Sequence, residues 1–178
     1  MSQTAVSTHH RVTRRLALAA SGALIAGSVS LLGATTAAAA PVECPAVPGT
    51  GPAATSATSS CSATADDSSA AAAFGFDGNA AAAGEMFGLS LAIAADGGTA
   101  TSAATNFSGP AAIAIGDGAT VETWGLNPGL SIGIAGPGAT VMVSGTSAPQ
   151  CMGGPAFAGD FQTGKGCFSD GMNTVPLG

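Results

Sequence analysis

The sequence predicts an all-β domain made of short glycine-phased repeats, preceded by an N-terminal signal helix. Three observations carry this. Glycines recur at Gly78, Gly88, Gly98, Gly109, Gly118, Gly129 and Gly138, in steps of 10, 10, 11, 9, 11 and 9. Between them, large and small side chains alternate with period two, the pattern of a strand whose successive residues point to opposite faces. The joints carry turn chemistry, in Asp77-Gly78, Asp96-Gly97, Asp117-Gly118, Pro128-Gly129 and Pro137-Gly138.

In chain order, residues 1–39 read as a signal peptide. His9, His10, Arg11, Arg14 and Arg15 precede the uncharged run from Leu16 to Gly33, and a small-residue tail follows. Ala37-Ala38-Ala39 satisfies the A-x-A requirement for a cut before Ala40, and Pro41 disfavours a cut directly ahead of it. Thr13-Arg14-Arg15 leaves both the general and the twin-arginine export routes open. Left uncut, the apolar run approaches the roughly 20 residues that span a bilayer. Cleavage removes three of the four basic residues, so a chain of formal charge −6 keeps only Lys165 against ten carboxylates. Nucleic-acid affinity comes mostly from Lys and Arg neutralising phosphates, so nucleic acid is excluded as a partner. Anionic membranes are disfavoured too, and membrane contact is expected only through the signal segment before cleavage. The expected location is extracellular or in the cell envelope.

Residues 40–69 are dominated by Pro, Ala, Ser and Thr without periodicity, and read as an irregular arm stapled to the domain. All four cysteines, Cys44, Cys61, Cys151 and Cys167, follow the signal, and an even count in an exported chain predicts structural disulfides. Three pairings are possible. The spacings favour the local pairs Cys44–Cys61 and Cys151–Cys167, each expected to stabilise the fold by roughly 3 kcal/mol. A zinc site is disfavoured, because no histidine remains and neither pair has metal-ligand spacing.

Residues 70–145 form the repeat domain, in which two unit types alternate to give a true period of about twenty residues with two strands each. Gly88-Leu-Ser-Leu-Ala-Ile-Ala94 and Gly129-Leu-Ser-Ile-Gly-Ile-Ala135 exemplify one type; Gly118-Ala-Thr-Val and Gly138-Ala-Thr-Val exemplify the other. A small β-solenoid or β-roll is favoured, because same-type strands would stack with like side chains together. An antiparallel meander or sandwich is the alternative. Leu89, Leu91 and Ile93 share a face, as do Leu130, Ile132 and Ile134, and this aliphatic face is expected to be buried. Alanine runs such as Ala70–Ala73 and Ala80–Ala83 favour helix by propensity, but the glycine phasing overrides them. Residues 146–178, with Phe157, Phe161 and Phe168, read as a disulfide-closed C-terminal cap over the open end of the stack.

The block from Ala111 to Val121 (AAIAIGDGATV) resembles the head repeats of trimeric autotransporter adhesins, which implies a parallel β-roll, although the coil here is longer than in those heads. The whole layout, with an Ala-rich signal, an early cysteine pair, Gly/Ala repeats and a closing segment from Cys151 to Cys167, resembles small secreted actinobacterial proteins of uncharacterised function. That resemblance implies an envelope or extracellular location and no assigned activity.

Catalytic chemistry is scarce. Nucleophilic catalysis needs a base beside the nucleophile, and beyond the signal there is no histidine. Gly164-Lys165-Gly166 lacks the spacing of a phosphate loop, so Lys165 reads as a solvated turn residue. Asp66-Asp67, or Asp117 with Glu122, could serve a carboxylate-only hydrolase. No cofactor is expected. Calcium is the one metal that the sequence brings to mind, with Asp77, Asp96 and Asp117 at stacked corners as ligands, since Ca²⁺ takes about six to eight oxygens. Thr99, Thr101 and Thr120 could form a short flat hydroxyl array. Trp124 is expected to be packing, with an exposed sugar or protein contact as the alternative. The reading is thus a non-enzymatic structural or binding protein, its partner an unidentified protein or glycan and its oligomeric state open. A calcium-dependent module and a hydrolase are the alternatives.

Overall fold

A computed structural model describes residues 40–178, so the signal peptide and signal helix expected over 1–39 lie outside the described residues. Every regular element described is a strand. β1 (Val42–Ala46), β2 (Ala53–Thr55) and β3 (Ser60–Ala65) come first. The repeat region supplies β4 (Ala70–Phe76), β5 (Asn79–Gly84), β6 (Leu89–Ala95), β7 (Thr99–Ala104), β8 (Ser108–Ile115), β9 (Thr120–Gly125), β10 (Gly129–Ala135) and β11 (Ala139–Val143). β12 (Gln150–Gly153), β13 (Pro155–Asp160), β14 (Lys165–Asp170) and β15 (Thr174–Leu177) close the chain.

The chain winds between two facing sheets. Sheet A has the order β1-β4-β6-β8-β10-β13-β14-β15, and sheet B the order β12-β11-β9-β7-β5-β3-β2. β4, β6, β8 and β10 pair in parallel, as do β3, β5, β7, β9 and β11. Ala70 lies beside Leu89, Leu91 beside Ala111 and Ser108 beside Gly129, so each coil advances by 19, 20 or 21 residues. Parallel neighbours one coil apart define a β-solenoid and dispose of the meander, whose neighbours would be antiparallel. The alanine runs at 70–73 and 80–83 lie in β4 and β5, as the glycine phasing requires.

Residues 42–65 are not an irregular arm. β3 is the first parallel strand of sheet B, with Cys61, Ala63 and Ala65 pointing inward, and β1 and β2 pair antiparallel against β4 and β3. The inward alternation here is carried by alanine and cysteine, which composition alone does not separate from a loop. At the other end β12 and β13 pair antiparallel with β11 and β10, and β14 and β15 extend sheet A. The disulfides Cys44–Cys61 and Cys151–Cys167 each join a sheet A strand to a sheet B strand, one at either end of the stack.

The polarity of the strands is the reverse of the sequence expectation. The interior holds Ala71 and Ala73 on β4, Ala92 and Ala94 on β6, and Ala112 and Ala114 on β8, all buried. Facing them from sheet B are Ala80, Ala82, Ala100, Val121, Val141 and Val143. Leu89, Leu91, Ile93 and Ile132 point outward, and Leu89 is 63% exposed. Ile132 is therefore half-buried on the outside, and an aspartate there would not enter a closed core. The reason is steric. The gap between the sheets is so narrow that a Cβ on Gly133 would lie 2.7 Å from Val121 Cγ1 and 3.0 Å from Val141 Cγ1. Close-packed interiors of this kind reject even added methylenes.

Polar groups also cross the interior. The Ser90 hydroxyl meets that of Ser102 at 2.8 Å, and Ser102 Oγ donates to the Pro110 carbonyl at 3.1 Å. One coil on, beside Ser102, Thr123 Oγ1 is buried without a partner. A buried hydroxyl left unpaired costs free energy that an isosteric methyl does not. Thr123→Val should accordingly raise stability by about 1 kcal/mol, measured by urea unfolding. A loss of that size would show that the hydroxyl is satisfied.

Backbone crowding sets the corners between β6 and β7. A Cβ on Gly98 would lie 2.5 Å from the Ala114 carbonyl oxygen, an atom of the next coil that cannot move aside alone. Gly98→Ala should therefore cost about 3 kcal/mol by forcing two coils apart. Gly138, with φ +68° but nothing within 4 Å of a Cβ, is the comparison. Gly138→Ala should cost only about 1 kcal/mol, the penalty of a left-handed alanine. Thermal melting of the two variants checks the ranking.

Candidate functional site

The alternation that puts small residues inside puts the large apolar ones in register on the outer face of sheet A. One row runs across all eight strands: Glu43, Phe74, Ile93, Ile113, Ile134, Phe157, Phe168 and Val175. Only its first member is charged. The next row reads Pro45, Ala72, Leu91, Ala111, Ile132, Gly159, Gly166 and Leu177, alternating bulky and small positions as far as Gly159 and then carrying a second glycine before Leu177. Leu89 and Leu130 extend the apolar surface toward the corner before each sheet A strand. Three shallow depressions open on this face. One, of about 270 Å³, lies over Gly159 and Gly166 beside Phe157, Phe161 and Leu177; another is lined by Ala72, Leu89 and Leu91, and a third by Ile134, Phe157 and Phe168.

That corner adds an aromatic ladder. Phe87 and Phe107, one coil apart, stack with ring centroids 4.8 Å apart and planes within 6°, and both are exposed. Met86, Phe87, Asn106 and Phe107 all have positive φ, between 47° and 63°. Consecutive left-handed residues turn the chain tightly, at a conformational cost for these side chains. Asp66 ties the corner to the coil before. The Met86 and Ser68 backbone N–H groups donate to its carboxylate at 2.7 and 2.9 Å. These donors, Met86 first, hold the Asp66 carboxyl well below its ordinary range. The stabilisation is complete above that ordinary range and is lost only as the pH falls below it.

The outer face of sheet B is polar by contrast. Ser60, Asn79, Thr99, Thr120 and Thr140 align across five strands, so the hydroxyl array suggested by Thr99 and Thr120 is longer than expected. Ser60 Oγ donates to Asn79 Oδ1 at 2.7 Å within it. The row containing Thr101 does not continue the array, because Glu122 and Met142 follow it. Trp124 stands on this outer face, 41% exposed, and is not core packing. No indole fits the narrow interior.

Asp77, Asp96 and Asp117 lie in one column, at the corners leading from sheet A to sheet B in successive coils. The column is hydrogen-bonded from coil to coil, with Gly97 N–H on the Asp77 carbonyl and Gly138 N–H on that of Asp117. Asp117 Oδ1 lies over Gly97, only 2.6 Å from where a Cβ would be. Among the described residues, no three or more His, Cys, Asp or Glu side chains converge as a metal site would require. Glu122 points outward on β9 while Asp117 precedes that strand. Asp160 is buried, accepting from Gln162 N–H and from the Thr163 hydroxyl at 2.9 Å each, which shapes the turn before β14. Lys165 opens β14 in an exposed position.

The candidate surface that sequence reasoning misses is the apolar face itself, because its alternating aliphatic residues read as core. A signal was present. The small positions recur in every repeat, whereas the bulky ones lapse to Ala70, Ala72 and Ala111 in some. The obligatory set is the one that lines a narrow interior.

Fold and face together define a two-sheet β-solenoid, disulfide-bolted at both ends, with an apolar outer face on one sheet and a hydroxyl-rich one on the other. The chain belongs to DUF6764, a family of unknown function, whose family model matches residues 8–170. This agrees with the resemblance to uncharacterised proteins and lends nothing to the likeness to autotransporter heads. No curated protein and no solved structure gave a significant match.

Proposed function

We propose that the protein is an exported, non-enzymatic scaffold that acts by binding through the outer face of sheet A. The observation that carries this reading is the uncharged row from Phe74 to Val175, in a chain with ten carboxylates, none of which falls between those two residues in the row. Contiguous exposed apolar surface of this extent is rare on soluble monomers and marks interaction sites. A protein partner suits it better than a glycan, because the middle of the face is aliphatic and aromatic, and its carboxylates, Glu43 and Asp170, stand at the margins, too far apart to orient a sugar over it. Export is supported by the signal-like residues 1–39 and by two disulfides, which persist in oxidising compartments.

The test uses the neutral apolar dye Nile red. The folded protein should bind it, and Ile93→Thr/Ile113→Thr/Ile134→Thr should lose that binding while the far-UV spectrum stays β-rich. Dye binding unaffected by the triple substitution would remove the face from the proposal. Turnover of any glycan or ester in a substrate panel would overturn the non-enzymatic reading, and recovery of uncleaved protein only from the cytoplasm would overturn export.

This reading needs no metal. A chelator should leave the melting temperature within about 1 °C, a shift corresponding to a few tenths of a kcal/mol at this size. A calcium-dependent rise abolished by Asp96→Asn would assign the corner column to calcium instead.

A further inference from the structure

We propose that the occupant of the sheet A face is a second copy of this chain, packed face to face about a two-fold axis that runs parallel to the strands between β8 and β10. The inference rests on the reading of that face as a docking surface and names its partner.

The first argument is area. Eight strands at about 4.8 Å spacing, each presenting some six residues of about 3.3 Å, make a patch of about 800 Å². That is the contribution per partner in a standard stable interface of about 1,600 Å².

The second argument is the volume pattern. A closed dimer uses the same patch on both copies, so the residue at each position must fit the residue to which the axis carries it. The proposed axis exchanges β8 with β10, β6 with β13 and β4 with β14, given the strand order of sheet A. It keeps each row over itself. In the second row it sets Ile132 over Ala111 of the other copy and Leu91 over Gly159, bulky against small both times. The depression above Gly159 and Gly166, about 270 Å³, is where that leucine would enter. In the first row Ile113 meets Ile134, and Ile93 meets Phe157, so the ridge of each copy is apolar from Phe74 to Val175.

Charge selects the same axis. A two-fold along the stacking direction would bring each end of the sheet over itself, and Glu43 toward its own copy. With the axis along the strands, Glu43 lies over the opposite end of the partner sheet, at Val175. Two copies of so acidic a chain approach most easily through the face whose middle is free of charge, its carboxylates Glu43 and Asp170 standing at the margins.

The test is sedimentation equilibrium of the exported protein with its disulfides intact. The native protein should be dimeric at micromolar concentration. Ala111→Ile fills the recess for Ile132 and should weaken the dimer by about tenfold, and adding Ile132→Ala in the same chain should restore most of the loss, because the two positions meet across the axis. Ile113→Lys, on the adjacent ridge, should leave only monomer, and the far-UV spectrum and melting of each variant confirm that it folds. A native protein that stays monomeric to about 100 µM, a dimer indifferent to Ile113→Lys, or a swap that fails to rescue would each overturn the proposal. If the monomer still binds Nile red through this face, the docking reading survives, and flotation with phosphatidylcholine vesicles or binding of a peptide of residues 16–33 identifies the occupant. If it does not, both readings fall together.

Discussion

Replacing Ala112 with leucine should destabilise the fold by about 3 kcal/mol, whereas replacing its neighbour Ile113 with serine should cost only about 1 kcal/mol. The ranking inverts what hydrophobicity alone suggests. Ala112 is fully buried and stands in register between Ala92 and Gly133, so its neighbours on both sides are no larger than a methyl group. Three further carbon atoms would have to separate the sheets along several coils, since a parallel stack shares its spacing among neighbours. Ile113 points outward, where serine merely gives up the contacts of a half-buried side chain. Urea unfolding of the two variants, with Ile113→Ser assayed below the concentration at which copies associate, decides the matter. A larger loss at Ile113 would mean that the aliphatic row is the true core and the two faces have been exchanged.

Removing Cys44–Cys61 by Cys44→Ala/Cys61→Ala should cost about 3 kcal/mol, and removing both bridges about 6 kcal/mol, similar to the whole stability of many domains. The bridges close separations of 17 and 16 residues, which sets the chain-entropy part of the effect. Their placement matters as much. A coil in the middle of the stack is held by a neighbour on either side, but the outermost strands have a neighbour on one side only, and each bridge holds sheet A to sheet B there. Loss of the first bridge should therefore remove hydrogen-exchange protection from β1 to β3 before the middle coils, and loss of the second from β12 to β15. Uniform loss across all strands would show that the stack melts as one unit and that the bridges are not local clamps.

The coil is legible because the runs opened by Gly88 and Gly129 are near copies, the run opened by Gly109 keeps their alternation, and like sequence stacks on like. The disulfide pairing was legible from its symmetrical spacing outside the repeat. Which face is the inside was not. Leu89-Ser-Leu-Ala-Ile fixes only that leucine and serine point in opposite directions; the width of the gap, which decides between them, depends on the chain returning after about ten residues to lie close beneath itself. β3 was hidden for a related reason, since Ser60-Cys-Ser-Ala-Thr-Ala has the composition of a linker and becomes a strand by pairing with β5. The proposed binding face is hidden for the same reason, because its aliphatic side chains read as core. Trp124 went with it: a lone tryptophan looks internal until the interior proves too thin to hold a ring.

The antiparallel strands at the two ends have one more consequence. They pair with the first and last coils alone, and the coils between them are alike in backbone and differ in length by a residue or two. The domain is thus built as two fixed terminators around a modular middle. Duplicating or deleting one unit of about twenty residues would lengthen or shorten the barrel of the molecule without touching either terminator, and would widen or narrow its apolar flank by one strand. Size in this architecture is a count that gene duplication can change in whole steps, while the terminators keep the exposed backbone of the last strand from recruiting another molecule and growing into a fibre.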